Sequence, residues 1–307
     1  MDYLLHILIL VGLYGILAVS LNLIAGYTGL LSVAHAAFYG VGAYVTALMA
    51  LHWHTPFLLN VVAGMVVAGV VGVLVAAPSL RVHDDYFVLT TFAFQVIAFS
   101  ILNNWVDFTG GPMGLPGIPQ PALFGLAISS HWGFLLLASA FLTAAFWVSH
   151  RLAESPYGRV LKAIREDEVF ARSLGKDVTR YKVEVFVLGA MLAATAGSLY
   201  AAYITFIDPT SFTVPESIFI LAIVIVGGAG NLWGSLVGAA LLVTLPEALR
   251  FLGMPSAVAA NMRQILYGAL LVLFMLFRPQ GIVAERVGLR EPRRARRPRR
   301  ETRSAGN

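Results

Sequence analysis

Between Tyr3 and Ala25 the chain carries no Asp, Glu, Lys or Arg, and runs of this kind recur along its length. Roughly 20 consecutive apolar residues match the hydrocarbon thickness of a bilayer, and backbone polar groups placed there must be satisfied within the segment, which restricts it to helix. Candidate spans lie at about 3–25, 30–51, 57–77, 86–103, 132–150, 183–205, 216–228, 232–250 and 263–277. The seventh and ninth are short, so eight or nine transmembrane helices are expected. With 58% hydrophobic residues, 12% charged residues and a mean hydropathy of +0.79, the composition lies outside the range of soluble domains. The expected fold class is all-α: a polytopic membrane helical bundle forming a single domain over residues 1–285. The glycine-rich run from Gly227 to Asn231 reads either as a loop between two crossings or as the break of a re-entrant element, which bundles tolerate where backbone borders protein or a cavity.

Charge gives the bundle a direction. Of the 21 Lys and Arg residues, all but Arg81, Arg250 and Arg263 lie within 151–182 or from Arg278 onward. The positive-inside rule makes both regions cytoplasmic, which puts the amino terminus and the Lys- and Arg-free loop 104–131 outside. The start Met1-Asp2-Tyr3 has no basic flank, so the first apolar run is expected to be a retained helix rather than a cleaved signal. The tail 286–307, rich in Arg and Pro with no apolar face, is expected to be disordered and to meet anionic membrane lipid; nucleic acid is not an expected partner.

The segment 151–182 is too orderly for a plain connector. Ser155 followed by Pro156 supplies an N-cap and a first-turn proline, and Gly175 supplies a stop about five turns later, so one short helix is expected between them. Tyr157, Val160, Leu161 and Ile164 recur at helical spacing, while Lys162 with Glu166 and Glu168 with Arg172 fall at i,i+4. Such an amphipathic helix either staples the loop to lipid headgroups or docks a soluble partner.

Several chemistries are missing. No GxxxxGK[ST] phosphate loop, HExxH or GxSxG occurs, and there is no cysteine, so the chain is expected to be no enzyme and no motor. His52-Trp53-His54 and His83-Asp84-Asp85 resemble metal-ligand clusters but suit polar loops at membrane edges equally, and no metal is expected. Asn22, His35 and Gln95 are the interior polar candidates for a translocation pathway; for His35 a hydrogen bond between helices is the competing role. Asp208, Glu216, Glu247, Arg250 and Arg263 fall near predicted span ends. The lack of a central carboxylate argues against the alternative class, a self-sufficient secondary transporter or channel. Small residues spaced by four, Ala36 with Gly40, Gly189 with Ala193 and Gly197, and Gly234 with Gly238, mark expected helix contacts.

The runs SPYGRVLKAIREDEVFARSLGKDVTRYK, GSLYAAYITFIDPTSF, LAIVIVGGAGNLWGSLVGA and LSVAHAAFYGVGAY together resemble the permease subunits of ABC importers for branched-chain amino acids. LRVHDDYFVLTTFAF and TGGPMGLPGIP are more similar to the M-type than to the H-type subunit. The resemblance implies a bacterial cytoplasmic (inner) membrane location and half of a translocation pathway completed by an H-type permease. It further implies two cytoplasmic ATPases that use ATP and Mg, an extracytoplasmic amino-acid-binding protein, and no cofactor on this chain. It makes 151–182 the coupling loop, with Gly158, Arg159, Ala163, Arg165, Glu166, Asp167, Ala171 and Gly175 as the ATPase-docking set. Phe170 departs from the family pattern, which has a small residue there. Some members of the wider group carry urea or short amides.

Overall fold

The computed structural model describes residues 2–80, 84–123, 126–128, 130–250, 256–278 and 280–283; the tail 286–307 and His83 lie outside them. The helices are α1 (Asp2–Thr28), α2 (His35–Trp53), α3 (Phe57–Ser79), α4 (Asp84–Asn104), α5 (Val106–Thr109), α6 (His131–Glu154), α7 (Pro156–Glu166), α8 (Glu168–Ser173), α9 (Val178–Ile204), α10 (Val214–Gly227), α11 (Leu232–Arg250) and α12 (Ser256–Phe277). Each of the nine apolar runs corresponds to a helix, as the backbone argument requires. Among the described residues α1, α3, α4, α6 and α9 are long and apolar enough to cross a membrane, and α10 with α11 make a sixth candidate bent by 120°. The count by length and apolarity is therefore five or six. The second helix starts at His35 rather than at residue 30, because Gly29, at φ 76°, ends α1 and the chain from 29 to 34 is irregular.

The bundle is layered around α1 and α9. In the most apolar window of each, 78% of residues are buried, against 22–39% for α3, α4 and α6. Lipid supplies no hydrophobic drive between helices, so close approach depends on small residues. The expected contacts occur: a Cβ on Gly189 would run into Ile24 and Ser20 of α1, one on Gly197 into the Tyr39 carbonyl of α2, and one on Gly238 into the Ile223 carbonyl of α10.

Two contacts fix the ends of the bundle. His6 near the start of α1 meets the Tyr203 hydroxyl near the end of α9 at 2.8 Å, and Arg165 of α7 donates to the Gly26 carbonyl near the end of α1. The amino-terminal end of α1 and the charged loop are thus on opposite faces. On the first face the Gly/Pro-rich segment 104–131 is tied in by antiparallel pairing of Leu115–Pro116 with Phe206–Ile207.

Candidate functional site

The charged loop is not one helix but an elbow of two. Ser155 caps α7 by accepting from the Gly158 amide at 3.3 Å. Asp167 is extended at φ −155°, breaks the helix, and caps α8 by accepting from the Phe170 amide at 2.9 Å. A side chain in the docking set is therefore itself the cause of the bend: an aspartate that satisfies orphan amides begins a new helix more readily than it continues an old one. At the far end Gly175, at φ 75°, closes α8, with the Gly175 amide on the Arg172 carbonyl at 2.9 Å and the Lys176 amide on the Ala171 carbonyl at 3.3 Å. This is the glycine-terminated stop that the sequence leads one to expect.

The apolar face of α7 is turned into the protein. Leu161 packs with Val19, Leu23, Ala153, Val185 and Leu232, and Ile164 with Ala171 and Val178. That face is not available to lipid. Tyr157 donates to the Tyr181 carbonyl at 3.3 Å, and burial beside Glu184 holds its phenol above the ordinary value, so it stays a donor. Lys182, almost fully buried, pairs with Glu168 at 2.7 Å and ties α8 to α9, while Glu168 also holds Arg172 at 2.6 Å. Lys162 sits over the Tyr27 ring, 5.2 Å from its centroid.

The eight residues expected to dock thus fall into two groups. Gly158 and Ala171 are buried, and Ala163 and Arg165 half-buried; Arg159, Glu166, Asp167 and Gly175 are exposed. Between the exposed polar positions lies an apolar cluster: Val169 and Phe170 on α8 are 76% and 58% exposed, and Leu174, just after it, is 62% exposed. The available signal was Asp167 acting as a second cap, which separates these three from the buried stripe of α7.

Asn22, His35 and Gln95 are fully enclosed by protein. Asn22 serves the break between α10 and α11. Its Nδ2 donates to Ser235 Oγ at 2.6 Å and to the Asn231 carbonyl at 2.9 Å, and its Oδ1 accepts from the Gly230 amide at 2.8 Å. A Cβ on Gly26 would overlap both Asn22 and Gly230. The carbonyls ending α10 are met from beyond α12, by the Ile282 amide on Val226 at 2.9 Å and the Val283 amide on Gly227 at 3.0 Å. Gln95 performs the same service at the start of α2: its Oε1 accepts from the Ala37 amide at 2.7 Å and from Ser217 at 3.1 Å, and its Nε2 donates to the Phe212 carbonyl at 2.8 Å. Ser217 in turn accepts from the Ala36 amide at 2.9 Å. His35 Nε2 lies 2.7 Å from Ser20 Oγ. Asn22, Gln95 and Ser217 satisfy helix ends that start or stop inside the bundle, where an unpaired backbone group costs several kcal/mol.

One expectation is overturned. Glu216 is not at a span edge in space: it accepts from the Tyr14 hydroxyl at 2.5 Å, midway along α1. Both side chains are half-buried. No ion pair involves Glu216 among the described residues; the pairs there are Arg172–Glu168, Arg180–Glu184 and Lys182–Glu168. A carboxylate at mid-bilayer costs about 2.5–3.5 kcal/mol, and its place in the first turn of α10 returns about 0.3–1 kcal/mol. Sequence depth misled because α10 begins inside the bundle, after the 3-10 turn Pro209–Phe212. Among the described residues no group of three or more His, Cys, Asp or Glu is placed to hold a metal.

The arrangement defines a polytopic helical membrane protein with enclosed helix breaks and an exposed elbow on one face. Residues 3–275 match the family model described as branched-chain amino acid transport system, permease component, and the chain belongs to that family. It is 36% identical over 294 residues to the high-affinity branched-chain amino acid transport system permease protein LivM of Salmonella typhimurium, covering 88% of this chain and 68% of that protein. The Escherichia coli K12 LivM is 35% identical with the same coverage. The corresponding LivH of Escherichia coli K12 is 27% identical over 289 residues, covering 88% of this chain and 91% of that one. Identity is thus higher to these M-type permeases than to the H-type one. No solved structure matches the chain.

Proposed function

We propose that this chain is the M-type permease subunit of an ABC importer, forming half of the pathway for branched-chain amino acids with an H-type permease as the other half. Two cytoplasmic ATPases supply ATP and Mg chemistry, an extracytoplasmic binding protein delivers the solute, and this chain binds no cofactor of its own. It lies in the bacterial inner membrane with its amino terminus outside and its basic tail cytoplasmic, an orientation that the charge distribution supports. The observation that carries the reading is the elbow. Its apolar stripe is already buried within the chain, while Val169, Phe170 and Leu174 stand exposed between Asp167 and Gly175 on a backbone fixed by two caps and the Lys182–Glu168 pair.

Within that reading the docking set divides its work. Arg159, Glu166, Asp167 and Gly175 present the surface with the three apolar residues; Gly158, Ala163, Arg165 and Ala171 hold the elbow on the bundle. Asn22 and Gln95 brace helix ends that border the pathway, and His35 ties the start of α2 to Ser20 of α1. The test is to reverse Arg159 and Glu166 together (Arg159→Glu, Glu166→Lys) and recover the tagged chain from native membranes in mild detergent. Loss of co-purifying ATPases at unchanged membrane insertion is the expected result. Full recovery of the ATPases with normal leucine uptake would remove the coupling assignment, and recovery of the unaltered chain alone would remove the importer.

A further inference from the structure

The last turns of α6 carry Trp147, His150, Arg151 and Glu154, which fall at i, i+3, i+4 and i+7 on one helix face, and all four are exposed. At 1.5 Å per residue the 24 residues of α6 reach about 36 Å, longer than the roughly 30 Å hydrocarbon core, so its last turns reach headgroup depth on the side of the elbow. Trp233, exposed at the start of α11, belongs to the same level, its ring 4.7 Å from that of Phe146. Exposed tryptophans at this depth are the aromatic belt of a membrane protein.

Beside the belt a cavity of about 370 Å³ opens between α6, α7 and the α10–α11 joint. Its wall carries charge of both signs, Lys162 from α7 and Glu154 from α6, together with the His150 ring, Asn231 of the joint and the rings of Tyr27 and Trp233. Lys162 lies over the Tyr27 ring at 5.2 Å, and on the neighbouring surface of α6 Arg151 lies over the Trp147 ring at 5.4 Å. Cations alone would suit any anionic headgroup. Glu154 in the same wall changes the selection, because it repels a purely anionic headgroup and receives an ammonium.

We infer that this cavity is a site for one zwitterionic phospholipid, a phosphoethanolamine headgroup seated with its phosphate toward Lys162 and His150 and its ammonium toward Glu154. The acyl chains leave past Trp233 and the exposed Val237 of α11. A trimethylammonium headgroup has no N–H to donate to Glu154, and a glycerol headgroup has no positive charge. The seated headgroup touches α6, α7 and the joint at once, so it ties the base of the elbow to the break that Asn22 braces. The inference rests on the chain's place in the membrane and is independent of the solute.

The test uses the tagged chain purified from native membranes with its accompanying subunits, stripped of lipid in detergent. Dioleoyl phosphatidylethanolamine, phosphatidylglycerol and phosphatidylcholine are added in turn, and binding is followed by native mass spectrometry; the chains are identical, so the ranking reports the headgroup. Phosphatidylethanolamine binds about tenfold more tightly than the other two, the gain expected of one charge-assisted contact. Glu154→Gln removes that preference. Lys162→Met weakens all three lipids, and Lys162→Arg restores them. Equal binding of the three lipids by the wild type overturns the site, as does a preference for phosphatidylethanolamine that survives Glu154→Gln. Displacement of the bound phosphatidylethanolamine by free leucine assigns the cavity to an amino acid and overturns it too. Should the Gln variant not be recovered, the wild-type ranking decides. Recovery of the chain without ATPases defeats the proposed function instead, and the ranking is then read on the chain alone.

Discussion

The helix joints inside the bundle and the elbow outside it invert the usual distribution of polarity in opposite senses. At the joints, Asn22, Gln95 and Ser217 are polar and enclosed; at the elbow, Val169, Phe170 and Leu174 are apolar and exposed. The difference lies in where the partners are. Every assigned bond of Asn22 and Gln95 ends on groups of this chain, mostly backbone at a helix end. The elbow residues keep more than half of their surface exposed among the described residues. Inversion satisfied from within is architecture; inversion left open is the surface that the proposed function gives to the ATPases.

The comparison breaks most readily at Asn22. Asn22→Ala removes the buried acceptor of the Gly230 amide and is expected to destabilise the bundle by about 3 kcal/mol, read as a fall in melting temperature and membrane yield. Retention of wild-type melting would mean that the break is held by its glycines and the 282–283 strap alone. Next in size is the elbow: Val169, Phe170 and Leu174 changed together to Ser should weaken ATPase recovery about tenfold at unchanged melting temperature. A lowered melting temperature with unchanged ATPase recovery would turn the elbow into architecture as well. Smallest is Arg172→Ala, which removes an exposed i,i+4 pair with Glu168 and should alter stability by less than about 0.5 kcal/mol. A larger loss would show that Arg172 holds Glu168 in place for buried Lys182.

Much of this protein is legible in the residue string because lipid leaves the backbone few choices. Apolar runs had to become helices, Ser155-Pro156 had to start one, and Gly175 ends one at positive φ. Small residues at Gly189, Gly197 and Gly238 predict close contacts that occur. Where reading along the chain failed, the reason was depth. Position within an apolar run stands for position in the bilayer only if the helix starts at the membrane surface, and α2 and α10 both start inside the bundle. Glu216 therefore appears terminal in the string and lies central in space.

By itself, then, the sequence determined the apolar helices, their order and the resemblance that the family match bears out, since each follows from local composition or from runs of neighbouring residues. The tertiary structure alone decided which helices are central, what Asn22 and Gln95 hold, and that Glu216 meets Tyr14. All of these depend on groups far apart in the chain, up to 213 residues for Asn22 and Ser235, meeting in a solvent that cannot satisfy them, and no local pattern encodes such meetings.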